Sequence, residues 1–92
     1  MTRVISIIHK MREGEATILQ IDITPPSINE QNYVEPAVFW VTLKKGDSKV
    51  LIKLSTKEMA YLIKHLDVAL NEALRKEQDL IVKSSERRKQ LY

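Results

Sequence analysis

The spacing of apolar residues changes once along this chain, at Ser55, and that change limits what the chain can fold into. Before it, apolar residues recur at every second position, which is the period of a strand. From Met59 onward they recur at every third or fourth position, as on one face of a helix. Ser55 and Glu58 have the spacing of a capping box, and no glycine or proline follows Gly46. We therefore predict one long helix over residues 56–89.

The segment before Ser55 predicts two antiparallel hairpins. Short turns, Arg12 to Glu15 and Lys45 to Ser48, join the two strands of each hairpin. Pro25 and Pro26 end the second strand, and we expect the loop that continues to Pro36 to be the most mobile segment. The predicted strands are Thr2 to Lys10, Ala16 to Thr24, Ala37 to Lys45 and Lys49 to Leu54. The predicted fold is α+β, a four-stranded antiparallel sheet followed by one long C-terminal helix, in the order ββββα.

Length and composition narrow the class of protein. A chain of 92 residues has room for one core, so we predict a single domain over 1–92, with the sheet at 2–54, the helix at 56–89 and a basic C-terminal end at 83–92. The chain has no cysteine, which excludes disulfides and thiolate metal sites. No signal-like start and no apolar run of about 18 residues occur. We expect an intracellular protein, cytoplasmic or nucleoid-associated, that does not enter a membrane.

The predicted helix carries a long apolar stripe, which we expect to cover one face of the sheet in its first half. Its members are Met59, Leu62, Ile63, Leu66, Ala69, Leu70, Ala73 and Leu74. The helix would reach about 50 Å, whereas strands of this length span only about 20 Å. The part beyond the sheet carries further apolar residues that another copy of the chain would cover. The sequence therefore predicts a homodimer or tetramer whose interface includes Leu74, Leu80 and Ile81.

A basic and aromatic surface is predicted on the second hairpin. Acidic residues are concentrated between Glu13 and Glu35, and lysines between Lys44 and Lys64. If Phe39, Val41 and Leu43 face the helix, then the alternate residues of the hairpin face away from it. An aromatic ring among lysines suits single-stranded nucleic acid, because bases stack on the ring and ammonium groups contact phosphates. The predicted site is Trp40, Thr42, Lys44, Lys45, Lys49 and Lys53. In the alternative interpretation, a partner subunit or the loop before Pro36 covers Trp40.

Few residues in the chain are suited to catalysis. His9 and His65 are isolated, and with only two glycines the chain has no glycine-rich phosphate loop. No serine lies in a nucleophile-elbow context. His9 with Asp22 gives at most two metal ligands, and the pattern does not favour a metal there. We therefore expect no enzymatic activity, no metal and no cofactor. The basic residues near the C-terminus fit a solvated helix end better than a phosphate-binding arm.

The element order, with the segment Lys49 to Met59 leading from the last strand into the helix, resembles the single-stranded-DNA-binding proteins of the positive-cofactor-four and Whirly type. It is also similar to the archaeal ThermoDBP-related proteins. The resemblance implies a dimer or tetramer with a curved, basic and aromatic groove, which would place Trp40, Lys44, Lys49 and Lys53 at the ligand. The acidic first hairpin departs from that pattern and puts a groove across the whole sheet in doubt.

The function predicted from the sequence is therefore binding of single-stranded nucleic acid, with DNA favoured over RNA, by a homo-oligomer. The alternative is an assembly or protein-interaction module that oligomerises through its helix and binds no nucleic acid. A ribbon-helix-helix repressor is set aside, because the run from Met59 through Leu74 contains no turn between two helices. The emission of Trp40 distinguishes the first two, since it responds to oligonucleotide only if the ring lies on the binding face.

Overall fold

All strands of the described chain lie before Thr56, and the one helix begins there. The computed structural model describes residues 1–10 and 14–90, with the side chain of Gln90 left out. The described chain has strands β1 Thr2–Lys10, β2 Ala16–Thr24, β3 Ser27–Ile28, β4 Val34–Glu35, β5 Val38–Lys45 and β6 Ser48–Ser55, then helix α1 Thr56–Gln90. The residues group into two units, Met1–Ala60 and Tyr61–Tyr92. Arg12 and Glu13 of the predicted first turn, and Leu91 and Tyr92 of the predicted basic end, lie outside the described residues.

The four long strands form one antiparallel sheet in the order β1-β2-β5-β6. Strands β2 and β5 are central and β1 and β6 are the edges, so the two predicted hairpins lie side by side. The second hairpin closes tightly, because Lys45 pairs with Ser48 and Gly46 takes a positive φ of 56° that a side chain would strain. The predicted fold class, a four-stranded antiparallel sheet followed by one long helix, is confirmed.

A bulge in β1 sets which side chains share a face of the sheet. Arg3 pairs with Asp22 and Ile5 with Ile21, so Val4 has no partner in β2. Strict alternation would put Arg3 on the same face as Ile5, whereas the extra residue moves Arg3 to the other face. The first strand therefore contributes its arginine to one face and its isoleucines Ile5 and Ile7 to the other.

One face of the sheet, which we call the apolar face, has hydrophobic side chains in three successive rows, with Thr2 as the one exception, and polar side chains in a fourth row at Lys45. Its central pairs run across all four strands, as in the row Ile5, Ile21, Val41 and Ile52. The apolar face consists of Ile5, Ile7, Leu19, Ile21, Ile23, Phe39, Val41, Leu43, Val50, Ile52 and Leu54. The predicted inward set of the second hairpin is confirmed as one face. Its members on the two edge strands are exposed, with the single exception of Leu54, which is half-buried.

The connection between β2 and β5 is more ordered than a plain loop. Strands β3 and β4 pair through two residues each. The Asn29 side chain accepts from the backbone N–H groups of Gln31 and Tyr33, both at 3.0 Å, and Asn32 takes a positive φ of 65°. An asparagine that bonds its own following backbone in this way stabilises a turn. The sequence analysis predicted a loop here and missed this short ladder.

The capping box predicted at the start of α1 is confirmed. The backbone N–H of Glu58 donates to Ser55 Oγ at 3.1 Å, and the backbone N–H of Ser55 donates to Glu58 Oε1 at 3.0 Å. The second bond is the main reason that the pKa of Glu58 lies below its ordinary value, and the Ser55 side chain adds to it. Two orphan N–H donors at the helix start are thereby satisfied.

The apolar stripe of α1 is exposed over most of its length. Among its large side chains only Met59, which is 7 % exposed, is buried. The expectation that the first half of the stripe is core therefore holds for Met59 and is wrong for Leu62, Ile63, Leu66 and Leu70 in the single chain. The unit that begins at Tyr61 is a single helix, which has nothing of its own to bury that stripe against.

The end of α1 is basic, as predicted. Its last turn carries Arg87, Arg88 and Lys89, whose positive charges complement the partial negative charge of the helix C-terminus. The Nε–H group of Arg88 donates to the backbone carbonyl of Ser84 at 3.4 Å. These contacts fit the interpretation of residues 83–90 as a solvated helix end.

Candidate nucleic-acid interface

The face of the sheet opposite the apolar face, which we call the basic face, has one row of side chains that crosses all four strands. Arg3 on β1 pairs with Asp22 on β2, Asp22 with Trp40 on β5, and Trp40 with Lys53 on the edge strand β6. Paired residues on one face lie about 5 Å apart at Cβ. The row therefore places a cation at each end and the indole ring between a carboxylate and a lysine.

The indole ring of Trp40 is held in place by two contacts. Its Nε1–H group donates to Thr24 Oγ1 at 2.9 Å, and Lys53 Nζ lies 5.6 Å from the ring centroid. The hydrogen bond satisfies the polar atom of the ring, and the lysine makes a cation–π contact with the ring face. Trp40 is half-buried in the single chain, so part of the ring is open to a ligand.

Asp22 is the one acidic residue in the four long strands, and it is paired. Its Oδ1 atom lies 3.3 Å from Arg3 Nε, where the guanidinium donates to the carboxylate. The Asp22 side chain is 16 % exposed and the Arg3 side chain 56 %. The carboxylate beside Trp40 is therefore mostly covered, whereas the guanidinium is open to solvent.

Two lysines lie directly opposite each other two rows away from Trp40. Lys44 on β5 pairs with Lys49 on β6. Like charges at directly opposed positions destabilise a strand pair. A bound anion between the two ammonium groups would remove that repulsion, so this pair is suited to a phosphate group.

Two of the predicted site residues are not available to a ligand on this surface. Thr42 lies on the basic face between Gln20 and Leu51, but it is only 6 % exposed and cannot make a broad contact with a ligand. Lys45 lies on the opposite face from Lys44, because neighbours in a strand point to opposite sides, and it pairs with Ser48 at the hairpin end. The structure brings together Trp40, Lys44, Lys49 and Lys53, and it places Lys45 elsewhere.

The first hairpin also contributes to the basic face, which the residue pattern did not predict. Arg3 and Lys10 of β1 lie on it, and Thr24 of β2 holds Trp40. The face therefore carries the cations Arg3, Lys10, Lys44, Lys49 and Lys53 against the single paired carboxylate of Asp22. The acidic character of residues 13–35 does not extend to the part of the sheet that surrounds Trp40. Arg3 lies on the basic face because of the bulge at Val4, and the residue pattern does not predict that bulge.

The other candidate groups remain separate. His9 pairs with Thr17 on the face opposite to Asp22, so the metal pair weighed from the sequence does not come together. Within residues 1–10 and 14–90, no three histidine, aspartate or glutamate side chains cluster as metal ligands. Across those same residues, no helix is both long enough and apolar enough to pass through a bilayer.

The predicted oligomer residues on α1 are all exposed. Leu74, Leu80 and Ile81 project from the same side of the helix as Leu66 and Leu70, as their spacing at 100° per residue requires. Val82, the residue after Ile81, projects from the opposite side. The stripe thus continues along the helix to Ile81, with Glu77 as its one charged interruption.

Comparisons of this chain with protein-family models, with curated proteins and with solved structures find no match. The resemblance to the positive-cofactor-four, Whirly and ThermoDBP-related proteins therefore stays a prediction. What the chain can bind has to be argued from the geometry of its own residues.

Proposed function

We propose that the chain binds single-stranded nucleic acid on its basic face, with DNA favoured over RNA, and that it acts as a non-enzymatic intracellular homo-oligomer. The observation that carries the proposal is the composition of that face. One half-buried tryptophan lies among the exposed cations Lys49 and Lys53, and the only carboxylate in the four long strands is already paired with Arg3.

The arrangement favours a single strand over a duplex. An aromatic ring can stack only on a base that is not stacked within a duplex, so Trp40 offers an interaction that double-stranded DNA cannot use. Lysines contact phosphates of either form and supply affinity that depends on salt. The opposed pair Lys44 and Lys49 would take one phosphate, and Lys53 at the ring of Trp40, about 14 Å from Lys49 along β6, would take another further along the nucleic acid.

Adjacent lysines on β5 provide a matched test of this proposal. Lys44 is on the basic face and Lys45 on the other, yet they are neighbours on the same strand. Lys44→Ala and Lys49→Ala should each lower the slope of log affinity against log salt by roughly one unit, as for the loss of one phosphate contact. Lys45→Ala should leave that slope at the parent value. Equal effects of Lys44→Ala and Lys45→Ala would indicate nonspecific attraction without a defined face.

The second candidate function is an assembly module that binds no nucleic acid. The exposed stripe of α1, with Leu74, Leu80 and Ile81, favours it, because apolar side chains in such a row are typical of helix pairing. In that case Trp40 would report on protein contacts alone. Absence of oligonucleotide binding at low salt, in a chain that still oligomerises, would support this candidate over the first.

A further inference from the structure

The apolar face of the sheet lacks a cover at its margins. Val50 and Ile52 on β6 and Ile5 and Ile7 on β1 are exposed, and so is Leu43 on the central strand β5, although each of these rows also holds half-buried residues. The face measures about 27 Å along the strands and about 19 Å across them, or about 500 Å², of which the three apolar rows make up about three quarters and the polar row at Lys45 the rest. A patch of this size is near the upper limit of what a monomer leaves in water.

The width of the apolar face distinguishes between a helix and a second sheet as the element that covers it. A helix with its side chains is about 10–12 Å in diameter, so it covers about two strands that lie about 4.8 Å apart. A single helix on the central strands would leave the outer residues Ile5, Ile7, Val50 and Ile52 in water. A second sheet with the same four-strand width covers all of them.

The distribution of charged side chains indicates that this second sheet is the same face of another copy of the chain. Among the apolar-face rows, charged or titratable side chains occur only at one end, where His9 and Lys45 lie. Two copies can therefore approach through this face without bringing like charges together at its centre. The basic face cannot self-associate in this way, because its cations Arg3, Lys44, Lys49 and Lys53 would repel their counterparts.

We propose that the apolar face packs against the same face of a second copy of this chain. The two sheets would lie about 10 Å apart with their strands at about 30°. Two such faces bury about 1,000 Å² in total, which reaches the size needed for a specific interface. The contact is isologous and therefore closes as a dimer. The dimer then has a basic face on each of its two outer sides. That these two faces bind nucleic acid rests on the proposed function.

Neighbouring residues on β6 supply the test. Ile52 lies on the apolar face and is 43 % exposed, whereas Leu51 lies on the basic face and is 52 % exposed. Ile52→Asp should reduce the mass of the full chain in sedimentation equilibrium to half of the parent value or less, and Leu51→Asp should keep the parent mass. A parent that is monomeric throughout, or an Ile52→Asp variant that keeps the parent mass, would overturn the proposal. No oligonucleotide is present, so this outcome is independent of nucleic-acid binding.

A second measurement on the unaltered chain covers the case in which Ile52→Asp does not fold. A soluble paramagnetic probe should broaden the methyl resonances of Leu51 strongly and those of Ile52 and Val50 weakly, and dilution to the monomer should expose the latter two. Protection of Ile52 in a species of monomeric mass would mean that the chain's own helix covers the face. Strong broadening of Ile52 in the undiluted protein would mean that a different partner is needed. Either result overturns the proposal.

Discussion

The two faces of the sheet are built from the same strands and differ in almost every chemical respect. The apolar face has hydrophobic residues in rows across all four strands, while the basic face carries five cations, one tryptophan and one paired carboxylate beside the apolar residues Ile8, Ile18, Val38 and Leu51. Residues adjacent in sequence, such as Lys44 and Lys45 or Leu51 and Ile52, fall on different faces. We propose the first face as the contact with another copy of the chain and the second as the contact with a polyanion. Alternation with a period of two would then let one short strand serve both contacts.

The largest expected effect is a change in oligomer mass when the apolar stripe of α1 is altered. This stripe is a third surface, in addition to the two faces of the sheet. Replacing Leu80 and Ile81 together by Asp should lower the mass measured by light scattering and leave the circular dichroism of the sheet and helix unchanged. Both side chains are exposed in the single chain, so two charges there disrupt contact between copies without disturbing a core. Val82→Asp, on the opposite side of the helix, is the matched control and should keep the parent mass. A double variant with the mass of the parent would remove the helix from the interface.

The next effect concerns the ring on the basic face. Trp40→Ala should weaken single-stranded oligonucleotide binding by about 1 to 3 kcal/mol with little change in the salt dependence, as expected for one lost stacked base. Trp40→Phe keeps an aromatic face but loses the hydrogen bond to Thr24, so it should retain most of the affinity. Fluorescence anisotropy of a labelled oligonucleotide measures both. If Trp40→Phe binds as weakly as Trp40→Ala, the hydrogen bond to Thr24 matters more than stacking.

A smaller effect should follow from removing the one carboxylate of the basic face. Asp22→Asn frees the Arg3 guanidinium from its ion pair and raises the net charge of the face by one. Oligonucleotide binding should become tighter, by less than about 1 kcal/mol because Arg3 is already exposed to solvent. The same titration measures it, with Glu72→Asn on the helix as the control for net charge alone. Equal gains from the two variants would show that the charge of the whole chain, and not of this face, governs binding.

The smallest effect is a pH dependence at the helix start. The pKa of Glu58 is lower in the folded chain than in the unfolded chain. The ionised Glu58 side chain therefore stabilises the fold at a pH above its unfolded-state pKa, and this stabilisation is lost as the pH falls through its folded-state pKa. Glu58→Gln keeps a side chain that can accept from Ser55 but cannot titrate. Thermal unfolding followed by circular dichroism should show the parent more stable than this variant at pH 7, with the difference shrinking as the pH falls through the acid range. A difference that is unchanged by pH would contradict the capping role.

The features that could be predicted from the sequence are those that local signals determine. Alternation, turn residues and the capping box predict the four long strands, the start of the helix at Thr56 and the shared face of Trp40, Lys44 and Lys53, and the structure confirms them. The period of two also separates Lys45 from Lys44, so including Lys45 in the predicted site was an error of interpretation.

The features that could not be predicted depend on register between strands. The bulge at Val4 decides where Arg3 lies, and the pairing of Asp22 with Trp40 brings the first hairpin to the basic face. Neither is encoded in the spacing of residues along one strand, because a shift of one residue exchanges the two faces. The low exposure of Thr42 likewise follows from its position between Gln20 and Leu51 on the neighbouring strands.

The central claim, that the basic face binds single strands through Trp40, is tested most directly by the emission of that one tryptophan. Because the chain has a single Trp, its fluorescence reports on this face alone. Titration with single-stranded oligonucleotide at low salt should change the emission and reach saturation, while a duplex of the same length should produce a weaker change at higher concentration. Blue-shifted emission that does not respond to single-stranded oligonucleotide would contradict the claim and favour the assembly module.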